Sequence, residues 1–214
     1  MLYYERRASR QGSSIIIGID EAGRGPLAGP VVVAAVYLKS FKFKSRIYDS
    51  KKLSAKQRFK AFLEISKKSV FDIGVINEGA IDAVNISKAA MLAVDNAVTR
   101  LLAHLKGRRP SLKNTILLLD GTLHSSLPYL SKEIIGGDRK SLSIASASIM
   151  AKVIRDRIME IYDRIYPQYG FRIHKGYGTK RHLENMARHG LSPIHRKTFC
   201  HEALVPDEIK EGYR

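Results

Sequence analysis

The chain has 214 residues, of which 44% are hydrophobic, enough apolar surface for one packed core and too much for a disordered chain. Lys and Arg number 37 against 20 Asp and Glu, a formal net charge of +17, so the surface field favours polyanions, nucleic acid ahead of acidic membranes. A single cysteine, Cys200, excludes an intrachain disulfide; with no long apolar run and a start broken by Glu5, Arg6 and Arg7, this makes a soluble, cytoplasmic protein the expectation.

Residues 15–19 form a short β-branched run and residues 31–38 another. Between them, the glycines and prolines of residues 20–30 suit a sharp connection, so the two runs read as antiparallel strands. A strongly basic stretch follows over 39–68, and from Ser54 onward Phe59, Phe62, Leu63 and Ile65 recur at helical spacing. Residues 70–76 read as a third strand. Ile81, Val84, Ile86, Ala90, Ala93, Val98, Leu101 and Leu102 then predict one long amphipathic helix. Residues 115–119 are unbroken apolar, the pattern of a strand buried on both faces, and stop at Asp120-Gly121. A short strand is predicted over 133–135, then a helix from about Ser143 to Tyr166, ended by Pro167. The remainder is rich in Gly, His, Arg and Lys. This order predicts an α/β fold, a mixed sheet with helices packed on it. The expected organisation is a core over 13–166 and a C-terminal helical extension over 167–214 packed on that core.

Acidic residues stand where strands are expected to end: Asp20 with Glu21, Asp120, and Asp138. Sites in α/β sheets gather at such ends. Asp138 before a serine-rich helix start also suits a cap, and Asp120-Gly121 an ordinary turn. Asp20 and Glu21 are harder to explain structurally, because adjacent acids after an apolar strand repel each other unless a cation relieves them. Carboxylates without a Cys/His set select hard cations such as Mg²⁺ or Mn²⁺. A pair of such ions can serve phosphodiester chemistry, so positive field and acids together fit a nuclease or a polymerase-like enzyme.

The wording of these motifs is more specific. Gly18-Ile19-Asp20-Glu21-Ala22-Gly23-Arg24-Gly25-Pro26-Leu27-Ala28-Gly29-Pro30-Val31-Val32 resembles the N-terminal signature of the ribonuclease HII family. Asp49-Ser50-Lys51-Lys52-Leu53, Leu119-Asp120-Gly121, Gly137-Asp138, the run 144–153 with Arg155-Asp156, and His174-Lys175-Gly176-Tyr177-Gly178-Thr179 match the family in order. Further matches, His189-Gly190 and His195-Arg196, carry the resemblance from about Ile15 to Phe199. The sister family ribonuclease HIII carries a large N-terminal substrate-binding domain and a different loop after the acid pair, so the Ala-Gly-Arg-Gly loop favours HII.

The resemblance implies a ribonuclease H-like five-stranded mixed sheet flanked by helices. It implies cleavage of RNA in RNA/DNA hybrids, and of DNA duplexes 5′ of single embedded ribonucleotides, leaving 5′-phosphate and 3′-hydroxyl ends. It maps the four catalytic, metal-holding acids onto Asp20, Glu21, Asp120 and Asp138, with two divalent ions, Mg²⁺ or Mn²⁺. The rival acid Asp156 is read instead as an i,i+4 partner of Lys152. Gly23, Arg24 and Gly25 are expected at the ribose 2′-hydroxyl together with Tyr177, whose ring lies on the next deoxyribose. Ser50, Lys51, Arg196 and Lys197 are candidates for phosphate contacts. The histidines at 174, 182, 189, 195 and 201 surround Cys200 in sequence, but their spacing fits no strong zinc pattern, and packing or phosphate contact is favoured. A monomer is expected; recruitment by a sliding clamp or polymerase is left open. Two other classes remain at this stage: a ribonuclease H-fold nuclease acting on DNA junctions, and a non-catalytic basic nucleic-acid binder.

Overall fold

The computed structural model describes residues 1–204. Chain order begins with a helix, α1 (Tyr3–Arg10), that pattern reading does not find: it buries only Glu5 and Ala8, so no apolar stripe marks it. β1 (Ile15–Ala22) follows, then β2 (Val31–Leu38), buried at every position. Their antiparallel ladder runs from Ile17 opposite Tyr37 to Ala22 opposite Val32. Strand β1 therefore extends beyond the expected residue 19, and Asp20 and Glu21 are strand residues facing Ala34 and Val33.

α2 (Ala55–Lys68) starts at Ser54, which forms a capping box with Gln57. Its core face is Ala61 and Ile65; Phe59 and Leu63, expected to pack, are exposed. β3 (Ser69–Ile76) pairs antiparallel with β2 along its length. The single long helix expected next is two, α3 (Glu78–Val84) and α4 (Ile86–His104). The break is Asn85, at φ 67° with its side chain accepting from Ser87 and Lys88 amides. The apolar period continues across the break because Ile81 of α3 and Ala89, Ala90 and Ala93 of α4 enter the same core.

β4 (Thr115–Asp120) lies parallel to β1, and β5 (Leu130–Ile134) parallel to β4. β5 begins and ends earlier than the expected 133–135. It is an edge strand with one buried residue, Ile134, and so carries little apolar signal. The resulting mixed sheet has the order β3-β2-β1-β4-β5. α5 (Leu142–Ile165) is capped by Ser141 rather than by Asp138.

Alternation along the strands divides the core. Ile15, Ile17, Ile19, Val31, Val33 and Ala35 face α3 and α4, while Val32, Ala34 and Val36 face α2 and α5. Helix α5 lies so close to β1 that a Cβ at Gly18 would sit 2.1 Å from the Ser143 carbonyl carbon. Beyond Pro167 come α6 (Phe171–His174), α7 (Lys180–His189) and α8 (Lys197–Leu204). Tyr169, Phe171, Met186, Ile194 and Cys200 pack there on Met159 of α5 and on Ala28. The part of the expected extension beyond residue 204 lies outside the described residues. Among those described, no helix is long and apolar enough to cross a membrane.

Candidate active site

Parallel pairing sets Ile19 opposite Leu119, so the next residues on the two central strands, Asp20 and Asp120, emerge together at one end of the sheet. Asp138 reaches the same place from a 3-10 turn, Gly137–Arg139, that follows β5. The turn is tied in by the Gly137 amide, which donates to Asp120 Oδ1 at 2.5 Å. A Cβ at Gly137 would meet that same oxygen at 3.0 Å and Ile144 at 2.6 Å, so glycine is what lets the turn approach.

These acids line a cavity of about 350 Å³ together with Gly23, Arg24, Gly25, Ser50, Lys51 and Tyr177. Residues from 20 to 177, far apart in the chain, thus converge on one place. Besides Ala22, three residues of α5 line it that motif reading did not assign: Ser148, Lys152 and Arg155. Their spacing on α5 (i, i+4, i+7) is that of one helix face, a signal the sequence contains. Ser148 Oγ donates to Ser50 Oγ at 2.9 Å, and Ser148 opposes the burial that raises the Asp20 carboxyl. Lys152 is held at 2.7 Å by Asp156, the helical pair expected of those two residues.

The electrostatics are strained. Asp20 is 5% exposed, and burial, then the charges of Glu21 and Asp120, hold its carboxyl well above the usual range. Burial likewise raises Glu21, against the opposing charge of Arg24. Asp138 is raised by burial and by Asp49 and Asp120, with Arg139 and Lys51 opposing. A buried set of oxygen donors that repel one another fits a hard divalent cation, whose charge would stabilise all of them in ionised form. Among the described residues, no group of three or more His, Cys, Asp or Glu is arranged to enclose an ion unaided. Magnesium needs only one or two carboxylates, with water and substrate phosphate completing its shell.

Two of the expected phosphate contacts are elsewhere. Arg196 is wholly buried, and its guanidinium donates to the carbonyls of Gly23, Arg24 and Gly29 at 2.6–2.9 Å, leaving no face for a phosphate. Burial and the nearby charge of Arg155 push its pKa down to about 10. Lys197 is exposed at the start of α8, off the cavity, with its backbone amide on the Asp82 carboxylate. Arg155, also buried, donates to the carbonyls of Ala28, Pro30 and Lys175. The loop from Gly23 to Pro30 is therefore gripped by two arginines. Gly23 is at φ 100°, and a Cβ there would sit 2.1 Å from Arg155 Nε. Arg24 reaches outward instead, to Thr122 and Ser87 hydroxyls at 3.3 and 3.4 Å.

Tyr177 is 45% exposed at the cavity edge, and a histidine chain holds its backbone. The Ser192 amide donates to His195 Nδ1 at 2.9 Å, His195 and His182 share a 3.0 Å Nε2–Nε2 hydrogen bond, and His182 Nδ1 lies 2.9 Å from the Tyr177 carbonyl. Only neutral rings satisfy this chain, with His195 donating to His182 and His182 to Tyr177. Burial pushes both histidines down to about 4. The His174 ring stacks on His182 at 4.2 Å, its nitrogens bonded to the Tyr169 carbonyl and the Gly176 amide. These ring nitrogens are spent on structure. The side chain of His201 lies outside what the structure describes.

A mixed five-stranded sheet with paired carboxylates on its central parallel strands is the arrangement of a ribonuclease H-like hydrolase. Residues 17–202 match the family Ribonuclease HII. The chain is 47% identical over 201 residues to the ribonuclease HII of Acholeplasma laidlawii, covering 93% of this chain and 94% of that one. Among solved structures, the PCNA:RNase HII complex of Archaeoglobus fulgidus superposes with a TM-score of 0.63 at 26% identity, over 86% of this chain and 94% of that one. Bst-RNase HIII in complex with Mn²⁺ shares the fold, with a TM-score of 0.64 at 20% identity over 85% of this chain and 63% of that one. The chain belongs to the ribonuclease HII family and is an endoribonuclease of the ribonuclease H type.

Proposed function

We propose that the chain hydrolyses the RNA strand of RNA/DNA hybrids and cuts duplex DNA 5′ of a single embedded ribonucleotide, leaving 5′-phosphate and 3′-hydroxyl ends. The observation that carries this reading is the convergence of four acids, the Gly23-Arg24-Gly25 loop and Tyr177 on one cavity. Asp20, Glu21, Asp120 and Asp138 are the residues that would hold the two divalent ions proposed, Mg²⁺ or Mn²⁺. When bound, such a pair supplies an activated water and stabilises the departing 3′ oxygen. The Mn²⁺ complex of Bst-RNase HIII supports divalent-metal use by this fold.

The chain's own groups select and position. The loop 23–25 presents backbone polar groups to a ribose 2′-hydroxyl, the group that separates RNA from DNA. Its shape comes from Arg155 and Arg196, which act behind the loop rather than on the substrate. The exposed Tyr177 ring at the cavity edge suits contact with the deoxyribose that follows. Ser50, Lys51 and Arg24 face the same cavity and suit flanking phosphates. All these groups come from one chain, which supports action as a monomer, with the core at 13–166 and the extension at 167–214 each supplying part of the site. A sliding clamp is the protein partner proposed, on the strength of the PCNA complex of the Archaeoglobus fulgidus relative.

The test is incubation with Mg²⁺ or Mn²⁺ and three duplexes: all DNA, RNA/DNA hybrid, and DNA with one ribonucleotide. Cleavage of the hybrid and a cut 5′ of the lone ribonucleotide are expected. Cutting of the all-DNA duplex, or intact lone-ribonucleotide duplex beside a cut hybrid, would overturn the specificity assigned to the loop and Tyr177.

A further inference from the structure

A second cavity, of about 600 Å³, opens near the other end of the sheet. It touches Ile16 of β1, four residues and so about 13 Å before Asp20. On β2 it touches Tyr37 and Leu38, at the strand end far from the acids. It is lined by α1 and by the segment after β2, elements that take no part in the site described above.

Its composition is unusual. Among the described residues, the one carboxylate lining it is Glu5, 3% exposed. Glu5 Oε1 accepts from the Ser141 hydroxyl and from the Ser143 amide and hydroxyl, at 2.6–2.9 Å. Glu5 Oε2 is buried with no partner among the described residues. A carboxylate oxygen in that condition lacks a donor that none of the described residues supplies. The other charged lining residues are cations, Arg6, Arg10, Lys39 and Arg108, all exposed and none in an ion pair among the described residues. Apolar and aromatic side chains, Leu2, Ile16, Tyr37, Leu38 and Phe41, line it as well. Phe41 is 48% exposed, and Tyr37 carries the Arg108 guanidinium 5.2 Å above its ring.

A molecule that satisfies all three features has an N–H donor, a flat apolar body and an anionic group. A nucleobase with an exocyclic amine, attached to a sugar phosphate, has all three. Its amine meets a carboxylate as cytosine N4 does in groove recognition, its face stacks on an aromatic ring, and its phosphate meets arginine. We infer that this cavity is a nucleotide site separate from the catalytic centre, with Glu5 receiving the base amine and Arg6, Arg10, Lys39 and Arg108 the phosphate. The same chemistry is offered by a free mononucleotide and by the unpaired terminal nucleotide of a strand.

The experiment titrates guanosine 5′-monophosphate into the full chain by calorimetry in EDTA, where no divalent ion is available to the acids. Saturable binding is expected, weakened at least tenfold by Arg6→Ala with Arg10→Ala, two exposed positions, while hydrolysis of an RNA/DNA hybrid in Mg²⁺ stays within twofold of wild type. Glu5→Gln should weaken binding as well; because Glu5 is buried, the double arginine variant decides if that protein fails to fold. Competition with a 5′-phosphorylated single-stranded oligonucleotide separates the sources: a strand end competes at lower concentration than the mononucleotide, a free-nucleotide site does not favour it. No saturable binding, or binding that survives the double variant, would overturn the assignment.

Discussion

Arg196 Nη2 donates to the carbonyl of Gly23 at 2.6 Å, across 173 residues of chain. Together with its bonds to Arg24 and Gly29, this side chain satisfies three carbonyls that have no access to water through it. Arg196→Ala leaves those acceptors without their donor. A loss of roughly 3 kcal/mol is expected, since each buried polar group left unmade costs about 1–3 kcal/mol. Arg196→Lys restores at most part of it. Thermal melting reads the stability, and the ratio of cleavage at a lone ribonucleotide to cleavage of a hybrid reads the loop. An Arg196→Ala protein with wild-type melting and ratio would dismiss the grip.

The raised carboxyl of Asp20 makes a prediction of opposite sign. An acid whose folded pKa lies above its ordinary value of 3.8 contributes stability only while protonated, and loses it as pH rises through the folded value. At neutral pH without metal, keeping Asp20 buried therefore costs the fold stability. Asp20→Asn should melt higher than wild type in EDTA at pH 7, with the gap closing toward pH 3. Added Mg²⁺ should raise the wild-type melting temperature more than the variant's, and cleavage by the variant should be lost. Wild-type turnover by folded Asp20→Asn would remove Asp20 from the chemistry.

His182 and His195 titrate in the other direction. Both are pushed from 6.5 down to about 4, so between those values the unfolded chain binds protons that the folded chain refuses. Stability should fall as pH drops from about 6.5 to about 4. Replacing His182 with Gln should flatten that slope whatever it does to the melting temperature at pH 7. A slope unchanged in His182→Gln would show that the ring chain is not its source.

Tyr177→Ala should leave hydrolysis of a long hybrid within about tenfold of wild type while reducing cutting at a single ribonucleotide by about a hundredfold, about 2.7 kcal/mol of transition-state stabilisation. Equal losses on both substrates would place Tyr177 in general binding instead of junction reading.

Much of this architecture is legible in the chain because burial leaves a pattern. Val31–Leu38 is buried at every residue, and its bounds are those of its β-branched run. The acids stand out because apolar strands lead into them. Other features leave no such trace. α1 buries a glutamate and an alanine, which no hydrophobic period reveals. The Asn85 break is hidden because both helices flanking it feed one core. Arg196 reads as a surface cation in a chain of net charge +17, yet lies wholly inside, because the carbonyls it serves come from a loop remote in sequence. Ser148, Lys152 and Arg155 are visible as a helix face only once the site beneath that face is known.

The arginine grip also bears on the chain during synthesis. The acids at 20, 21, 120 and 138 leave the ribosome well before residue 196 does, and strands β1 and β4 can pair without it. A nascent chain at that stage holds the acids proposed to cut but not the donor that shapes the 23–30 loop. On the function proposed above, ribose selectivity therefore waits on residue 196, and a product truncated before Arg196 is expected to be inert or indiscriminate, never a faithful smaller enzyme.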